Sequence, residues 1–281
     1  MKNILLPTDF SKNSLNAIYY ALDLMKGEAC RFYFLNVQKA SSFISDDMMV
    51  VGASGTIYKT IISAAKKSID NIISKIESDY EFENFECFSI VDYDNFIDAI
   101  NQVSHTKKID LIIMGTKGAS GLSKTLFGSN TVRVIQRCYA PILVVPDGCQ
   151  FSHFRTIAFT TNNLPLFRPE ELKPLQEFML NHHAKLSILH VADEHHLAQN
   201  QSLNEDFFNE YFPKALHDYI DSNTHDIFQA IQNYLKANDI KMLAMMSKKH
   251  SFIERLFTEH LEETLAYNID IPLLVMHSPS L

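Results

Sequence analysis

The sequence predicts an α/β protein of two tandem, doubly wound domains, each on a parallel five-stranded sheet. Three observations predict it. Short, continuously apolar runs alternate with stretches of helical period. The chain, at 281 residues, is long enough for two cores of about 140 residues each. The second half also repeats the apolar anchors of the first in the same order. Continuous apolar strands separated by helices imply a sheet covered on both faces.

In the first half, strands are expected over residues 2–7, 30–37, 85–91, 109–114 and 142–146. Helices are expected over about 11–26, 56–79, 93–104 and 129–138. Ser11 is placed to cap the first helix, and Asp92 or Asp94 the third. In the second helix Ile57, Ile61, Ala64, Ala65, Ile69, Ile72, Ile73 and Ile76 recur at three- and four-residue steps, giving one apolar face. Ser41–Gly55 fits neither period and reads as a loop near the strand ends, a candidate lid.

The repeat is carried by four matched segments. Ile4–Asp9 answers to Ile157–Asn162, and Phe32–Val37 to Leu186–Val191. Asp94–Ile100 answers to His225–Ile231, and Ala140–Val145 to Ile271–Met276. The same order four times over indicates a tandem duplication joined near Asp147–Ser152, with domains at 1–149 and 150–281. The second half is shorter between its second and third strands, so its matching helix must be reduced.

Bulk properties exclude several classes. The formal net charge is −8 with no sustained basic block, which disfavours a nucleic-acid partner. No apolar run approaches the roughly 18 residues needed to cross a bilayer. The N-terminus enters an apolar strand at once, without a signal-peptide pattern. The four cysteines, Cys30, Cys87, Cys138 and Cys149, show no CxxC spacing. A reduced, cytoplasmic protein with no membrane association is expected.

Four of the eight glycines, Gly115, Gly118, Gly121 and Gly128, fall within fourteen positions. They follow the apolar run Leu111–Met114 and lead into a helix, an order that commonly holds phosphates. Gly115 and Gly118 let backbone amides approach a ligand. Gly128-Ser129 stands at a helix N-terminus, where free amides and the dipole favour an anion. Ser129 and Thr131 offer hydroxyl donors, and Lys117 a mobile charge. The spacing G-x2-G-x9-G-S is neither GxxxxGK[ST] nor GxGxxG, and taken alone it also describes a plain glycine-rich connection.

Gly115-x2-Gly118-x9-Gly128-Ser129 after a strand ending at Met114 resembles the nucleotide-binding motif of the universal stress protein family. Pro7-Thr8-Asp9 after the first strand and the closing Ala140–Val145 resemble it too. The likeness covers residues 1–147 and extends more weakly over 150–281. It implies the family's tandem form, with an adenine nucleotide alpha hydrolase-like, Rossmann-like fold in each half. It further implies an ATP site, with Mg²⁺ able to accompany the phosphates. Pro7, Thr8 and Asp9 would lie beside adenine and ribose, with Asp9 the polar anchor. Val37 would meet the adenine through its backbone. Met114, Gly115, Lys117 and Gly118 would line the ribose and phosphate path. Gly128, Ser129, Asn130 and Thr131 would hold the phosphates. Asn36 stands where the family often has histidine, and Lys117 where arginine or histidine is frequent. Tandem members pair their halves as an intramolecular pseudo-dimer, which is expected here with further homodimerisation left open.

The second half has lost the motif. Met246 falls opposite Gly115 and Lys249 opposite Gly118, while Thr258 and Glu259 replace Gly128 and Ser129. Glu259 would repel phosphate, and Asn162 answers Asp9. Eleven of the twelve histidines follow residue 150 without a metal-ligand spacing, so surface or loop positions are expected for them. Lys248, Lys249 and His250 read as a solvated turn. No Ser-His-Asp order, activated cysteine or carboxylate pair is recognisable. The expected function is therefore an ATP-binding stress or regulatory protein with little turnover. The alternatives are a slow adenine-nucleotide hydrolase, or an interaction module whose glycine loop is vestigial.

Overall fold

The computed structural model describes residues 1–38, 54–93, 95–116, 128–161, 167–191, 199–220, 227–247 and 270–277. The first half contributes β1 (Lys2–Pro7), α1 (Lys12–Leu24), β2 (Cys30–Val37), α2 (Ser54–Asp79) and β3 (Phe85–Asp92). It continues with α3 (Phe96–Lys107), β4 (Leu111–Gly115), α4 (Ser129–Arg137) and β5 (Ile142–Val145). The second half contributes β6 (Thr156–Thr161), α5 (Pro169–Asn181), β7 (Lys185–Val191) and α6 (Gln199–Tyr211). After these come β8 (Leu216–Ile220), α7 (Ile227–Ala237), β9 (Leu243–Ser247) and β10 (Leu273–His277).

The ten strands form one sheet in the order β3-β2-β1-β4-β5-β10-β9-β6-β7-β8. All neighbours are parallel except β5 and β10, which meet antiparallel through Leu273↔Val144 and Val275↔Ile142. Each half thus has the same strand order, and the sheet registers agree as well. Ile4 faces Phe32 where Ile157 faces Leu186. Leu5 faces Ile112 where Ala158 faces Leu243. Ile112 faces Ile142 where Leu243 faces Leu273. These are the equivalences of the sequence repeat. A one-residue slip at any of them would have turned a buried strand inside out.

Strand alternation divides the core into two layers. Ile4, Leu6, Phe32, Phe34 and Ile113 meet Ile18 and Leu22 of α1 and Ile69 and Ile76 of α2. That layer continues through Phe159, Ile188 and Phe208 in the second half. On the other face Leu5, Leu35, Ile112 and Val144 meet Ile97 and Ile100 of α3 and Val134 and Ile135 of α4. Ile231 and Leu235 of α7 extend it. Among the described residues no helix is long and apolar enough to cross a membrane.

The expected elements are present, with shifts that have local causes. Ser11 caps α1, its side chain accepting from Ser14 N at 3.2 Å. The cap of α3 is neither Asp92 nor Asp94 but Asn95, which accepts from Ile97 N at 3.0 Å. Asp92 instead ends β3, paired with Val37; Asp94 lies outside the described residues. β4 begins two residues late because Asp110 is taken up in a clasp with Asn3. Its amide donates to Asn3 O, and its carboxylate accepts from Asn3 N, both at 2.8 Å. In α2, Ala64 is exposed while Ala65, Ile69 and Ile76 are buried, so the apolar face is narrower than expected. Gly55 lies inside α2 rather than in the preceding loop. The reduced helix of the second half is α6, with 13 residues against 26 in α2.

Candidate functional site

β1 and β4 are neighbours whose following helices leave in the crevice where the strand order reverses, the usual ligand position in open α/β sheets. The segment after β1 is tightly determined. Pro7 and Thr8 are buried, and Thr8 N donates to Leu35 O at 2.8 Å. The Thr8 hydroxyl lies 3.0 Å from Ser14 Oγ and accepts from Phe10 N at 3.1 Å. Phe10 takes a left-handed φ of 63°, turning the chain into α1. Asp9 is left exposed at the strand end, one carboxylate oxygen accepting from Ser11 N at 3.1 Å. Beside it, buried Asn36 donates to Thr8 O at 2.8 Å and accepts from Gln38 Nε2. Val37, half-buried, closes β2.

At the end of β4, Met114, Gly115 and Thr116 are all buried. The reason for glycine at position 115 lies in α1. An added Cβ would fall 2.4 Å from Asn13 Oδ1 and 3.0 Å from the Asn13 backbone oxygen. Gly115 therefore makes room for a helix. Thr131 is buried, and its hydroxyl lies 3.1 Å from both Gly115 O and Thr116 O, bracing α4 against β4. The Gly128 amide is likewise engaged, donating to Thr116 O at 2.6 Å.

Among the described residues, the first turn of α4 stands without a side-chain cap. Gly128 is the N-cap and supplies no side-chain bond, and the first turn holds no acidic residue. Ser129 and Asn130 are exposed. Helix-start amides without a capping side chain carry partial positive charge and suit an anion. By contrast, α1 and α3 are closed by the side chains of Ser11 and Asn95. Pro7, Thr8, Asp9, Val37, Met114, Gly115, Gly128, Ser129, Asn130 and Thr131 are thus gathered at the ends of β1, β2 and β4 and the start of α4. Lys117, Gly118 and Gly121 lie outside the described residues, as do residues 41–53.

Asn13, Ser14 and Thr116 are site-forming residues that motif spacing does not reveal. Asn13 donates to Thr116 Oγ1 at 3.4 Å, and both are buried. The only hint in the sequence is a polar pair, Asn13-Ser14, on the inner face of a helix. Burial, aided by Glu28 at Cys30 and Glu77 at Cys87, pushes Cys30 up to about 11 and Cys87 to about 12; burial alone takes Cys138 to about 12.

In the second half, buried Met246, one residue before the end of β9, stands at the level where Gly115 ends β4. His190 occupies the place of Asn36 and is 1% exposed. Its Nε2 lies 2.9 Å from His217 Nδ1, and its ring stacks on Tyr219 at 4.7 Å. Burial, then the neighbouring His217, holds His190 down to about 4. A buried His190 corrects the expectation that the histidines are surface or loop residues. Among the described residues, no group of three metal-ligating side chains gathers. Asn162, Lys248, Lys249, His250, Thr258 and Glu259 lie outside the described residues.

A model of the universal stress protein family matches residues 1–146. Universal stress protein MJ0531 of Methanocaldococcus jannaschii is 30% identical over 144 residues, which is 51% of this chain and 81% of that protein. Universal stress protein MJ0577 of the same organism is 26% identical over 156 residues, 51% of this chain and 94% of its own. A crystal structure of a universal stress protein from Archaeoglobus fulgidus is similar over both halves. It covers 99% of this chain and 97% of its own at a TM-score of 0.69 and 17% identity, a likeness of fold. The family model takes in more than half of the chain, and the matched segment carries every strand and helix around the glycine loop: this protein belongs to the universal stress protein family.

Proposed function

We propose that the first half binds one adenine nucleotide, ATP in the first place, and that the protein acts in stress response as a nucleotide-responsive regulator with little or no turnover. The observation that carries this reading is the start of α4. Its first-turn amides lack a capping side chain, stand on Gly128 and share the β1/β4 crevice with the exposed Asp9. The residues present fit the group. Ser129 and Asn130 would hold phosphate oxygens through backbone amides and side chains, and Asp9 would accept from ribose hydroxyls. The Val37 backbone would meet the adenine, with Pro7, Thr8, Met114 and Gly115 forming the floor. Lys117 and Gly118 would complete the phosphate path. Mg²⁺ would be held chiefly by the phosphates, as this ion usually is.

On this reading the chain divides at 1–149 and 150–281, and the second half, with Met246 at the corresponding strand end, does not bind ATP in the same way. The antiparallel contact of β5 and β10 supports an intramolecular pseudo-dimer of the two halves, with a further homodimer possible. A cytoplasmic location follows from the family's implied role and the free cysteines.

The test is to denature freshly purified protein, identify any released nucleotide by mass, and titrate the protein with Mg-ATP by calorimetry. About one ATP per chain is the expected outcome, with hydrolysis no faster than the protein-free control. Metal-dependent turnover abolished by Asp9→Ala would make the protein a slow hydrolase. No released nucleotide and no binding heat would refute the reading and leave an interaction module.

A further inference from the structure

The helix whose first turn faces the crevice is closed at its other end by the opposite half of the chain. The last four carbonyls of a helix have no partner within it. At the end of α4, Cys138 N donates to Val134 O at 2.9 Å and Asn101 Nδ2 donates to Arg137 O at 3.2 Å. The Ile135 carbonyl is served differently. His277 Nε2, on the last strand of the second half and 142 residues away, donates to it at 2.7 Å. The antiparallel register explains the reach. Val275 faces Ile142, so continuing the strand two residues brings His277 level with Ala140, just beyond the end of α4. Burial pushes the imidazole below its ordinary range, against the opposing pull of the Ile135 and Ala140 backbone.

The two halves differ at the position that supplies this contact. Within the sequence repeat, Val145 answers to Met276, so the counterpart of His277 is Pro146. Proline has neither an N–H nor a side-chain donor to give a helix end. The half without the glycine motif therefore supplies a cap to the half that has it from a position at which the other half has only Pro146.

We infer that His277 is a positioning residue for the nucleotide site, through which the second half sets how firmly α4 is held and hence how tightly the first half binds ATP. This rests on the nucleotide reading above. α4 has nine residues, about 13 Å of helix. A helix that short has little stability of its own, so its orientation is decided by its anchors. Thr131 and Gly128 fix the end that meets the phosphates, while His277, together with Asn101, fixes the other. Releasing the far end lowers the fraction of molecules in which the first-turn amides converge, and apparent affinity falls by that fraction.

The test uses the full chain with His277→Leu, which removes the donor and keeps bulk, and His277→Gln, whose amide nitrogen replaces Nε2. Mg-ATP affinity is read by calorimetry, and hydrogen exchange of the α4 amides is read without nucleotide. The expected result is a loss of affinity of roughly fivefold or more in the leucine variant, faster exchange in α4, and recovery of both in the glutamine variant. Should the leucine variant not fold, His277→Asn, too short to reach Ile135 O, must show the same loss. A lowered melting temperature with affinity within twofold of the natural chain would overturn the inference and leave the nucleotide reading standing. Absence of ATP binding in the natural chain would overturn both.

Discussion

Replacing Gly115 by alanine tests the packing that shapes the end of β4. The new Cβ would lie 2.4 Å from Asn13 Oδ1, 2.9 Å from its Cγ and 3.0 Å from its backbone oxygen. The first distance cannot be tolerated, so the Asn13 amide must leave its place. It is buried, and its bond to Thr116 Oγ1 is lost with it. The third contact is to helix backbone, which yields less readily than a side chain. Overpacking of this kind costs about 1–3 kcal/mol, and the long Asn13–Thr116 bond adds about 0.5 kcal/mol. The expected loss is about 2–3 kcal/mol, read by urea unfolding, with a fall in melting temperature of roughly 4–10 °C. The decisive arm is the double-mutant cycle with Asn13→Ala. Removing the amide leaves only the backbone contact, so the double variant should recover most of the loss, a coupling of at least about 1 kcal/mol. A Gly115→Ala protein as stable as the natural one, or losses that simply add, would refute the close-approach account of this glycine.

Three further outcomes follow from the same contacts. Thr131→Val removes the hydroxyl that ties α4 to two carbonyls of the glycine loop and should cost about 1–2 kcal/mol in chemical denaturation, while Thr131→Ser should cost less; equal effects would contradict the bracing role. His190 is held at about 4 when folded and titrates near 6.5 in an unfolded chain. Between those values the unfolded state takes up a proton that the folded state excludes, so stability falls as pH is lowered from about 6.5 to about 4. The contribution is on the order of 2 kcal/mol after screening, and His190→Gln should flatten the slope in that window; unchanged slopes would exclude His190 as its source. Met246→Ala should cost about 3 kcal/mol by leaving a cavity and should create no nucleotide binding; ATP heat in this variant beyond that of the natural chain would show that one side chain had silenced the second half.

Much of the fold is legible in the sequence because burial on both faces of a parallel sheet leaves apolar runs that cannot be confused with surface. The repeat could be aligned to the residue, since strand registers tolerate no slip, and Ile4, Leu5 and Ile112 pair as their counterparts do. Local chemistry was legible too: Ser11 caps α1 because its hydroxyl needs to reach only three residues ahead. Contacts between distant segments were not. Nothing in the spacing of Gly115 announces Asn13, 102 positions earlier, and nothing near His277 announces Ile135. The bracing contacts of Thr131 are hidden for a related reason. A hydroxyl at a helix start looks the same in sequence whether it faces a ligand or the preceding strand, and only the buried position of α4 decides between them.

The two halves show why the glycine position is a property of a helix pair and not of a loop. The inner face of α1 opens with small or short side chains, Asn13, Ser14 and Ala17, so the helix can settle close to the end of β4. That approach leaves no space for a Cβ at Gly115. The inner face of α5 carries Glu171, Leu172, Leu175 and Phe178. Larger side chains hold a helix further from its sheet, and buried Met246 shares a core layer with Leu172, Leu175 and Phe178. A glycine restored at position 246 would therefore face a helix that stands off and would leave a void. Regaining the geometry of the first half would require α5 to be rebuilt with smaller residues at the same time. The second half has exchanged a close helix approach for a bulkier core, and its last strand, β10, reaches the far end of α4 through His277.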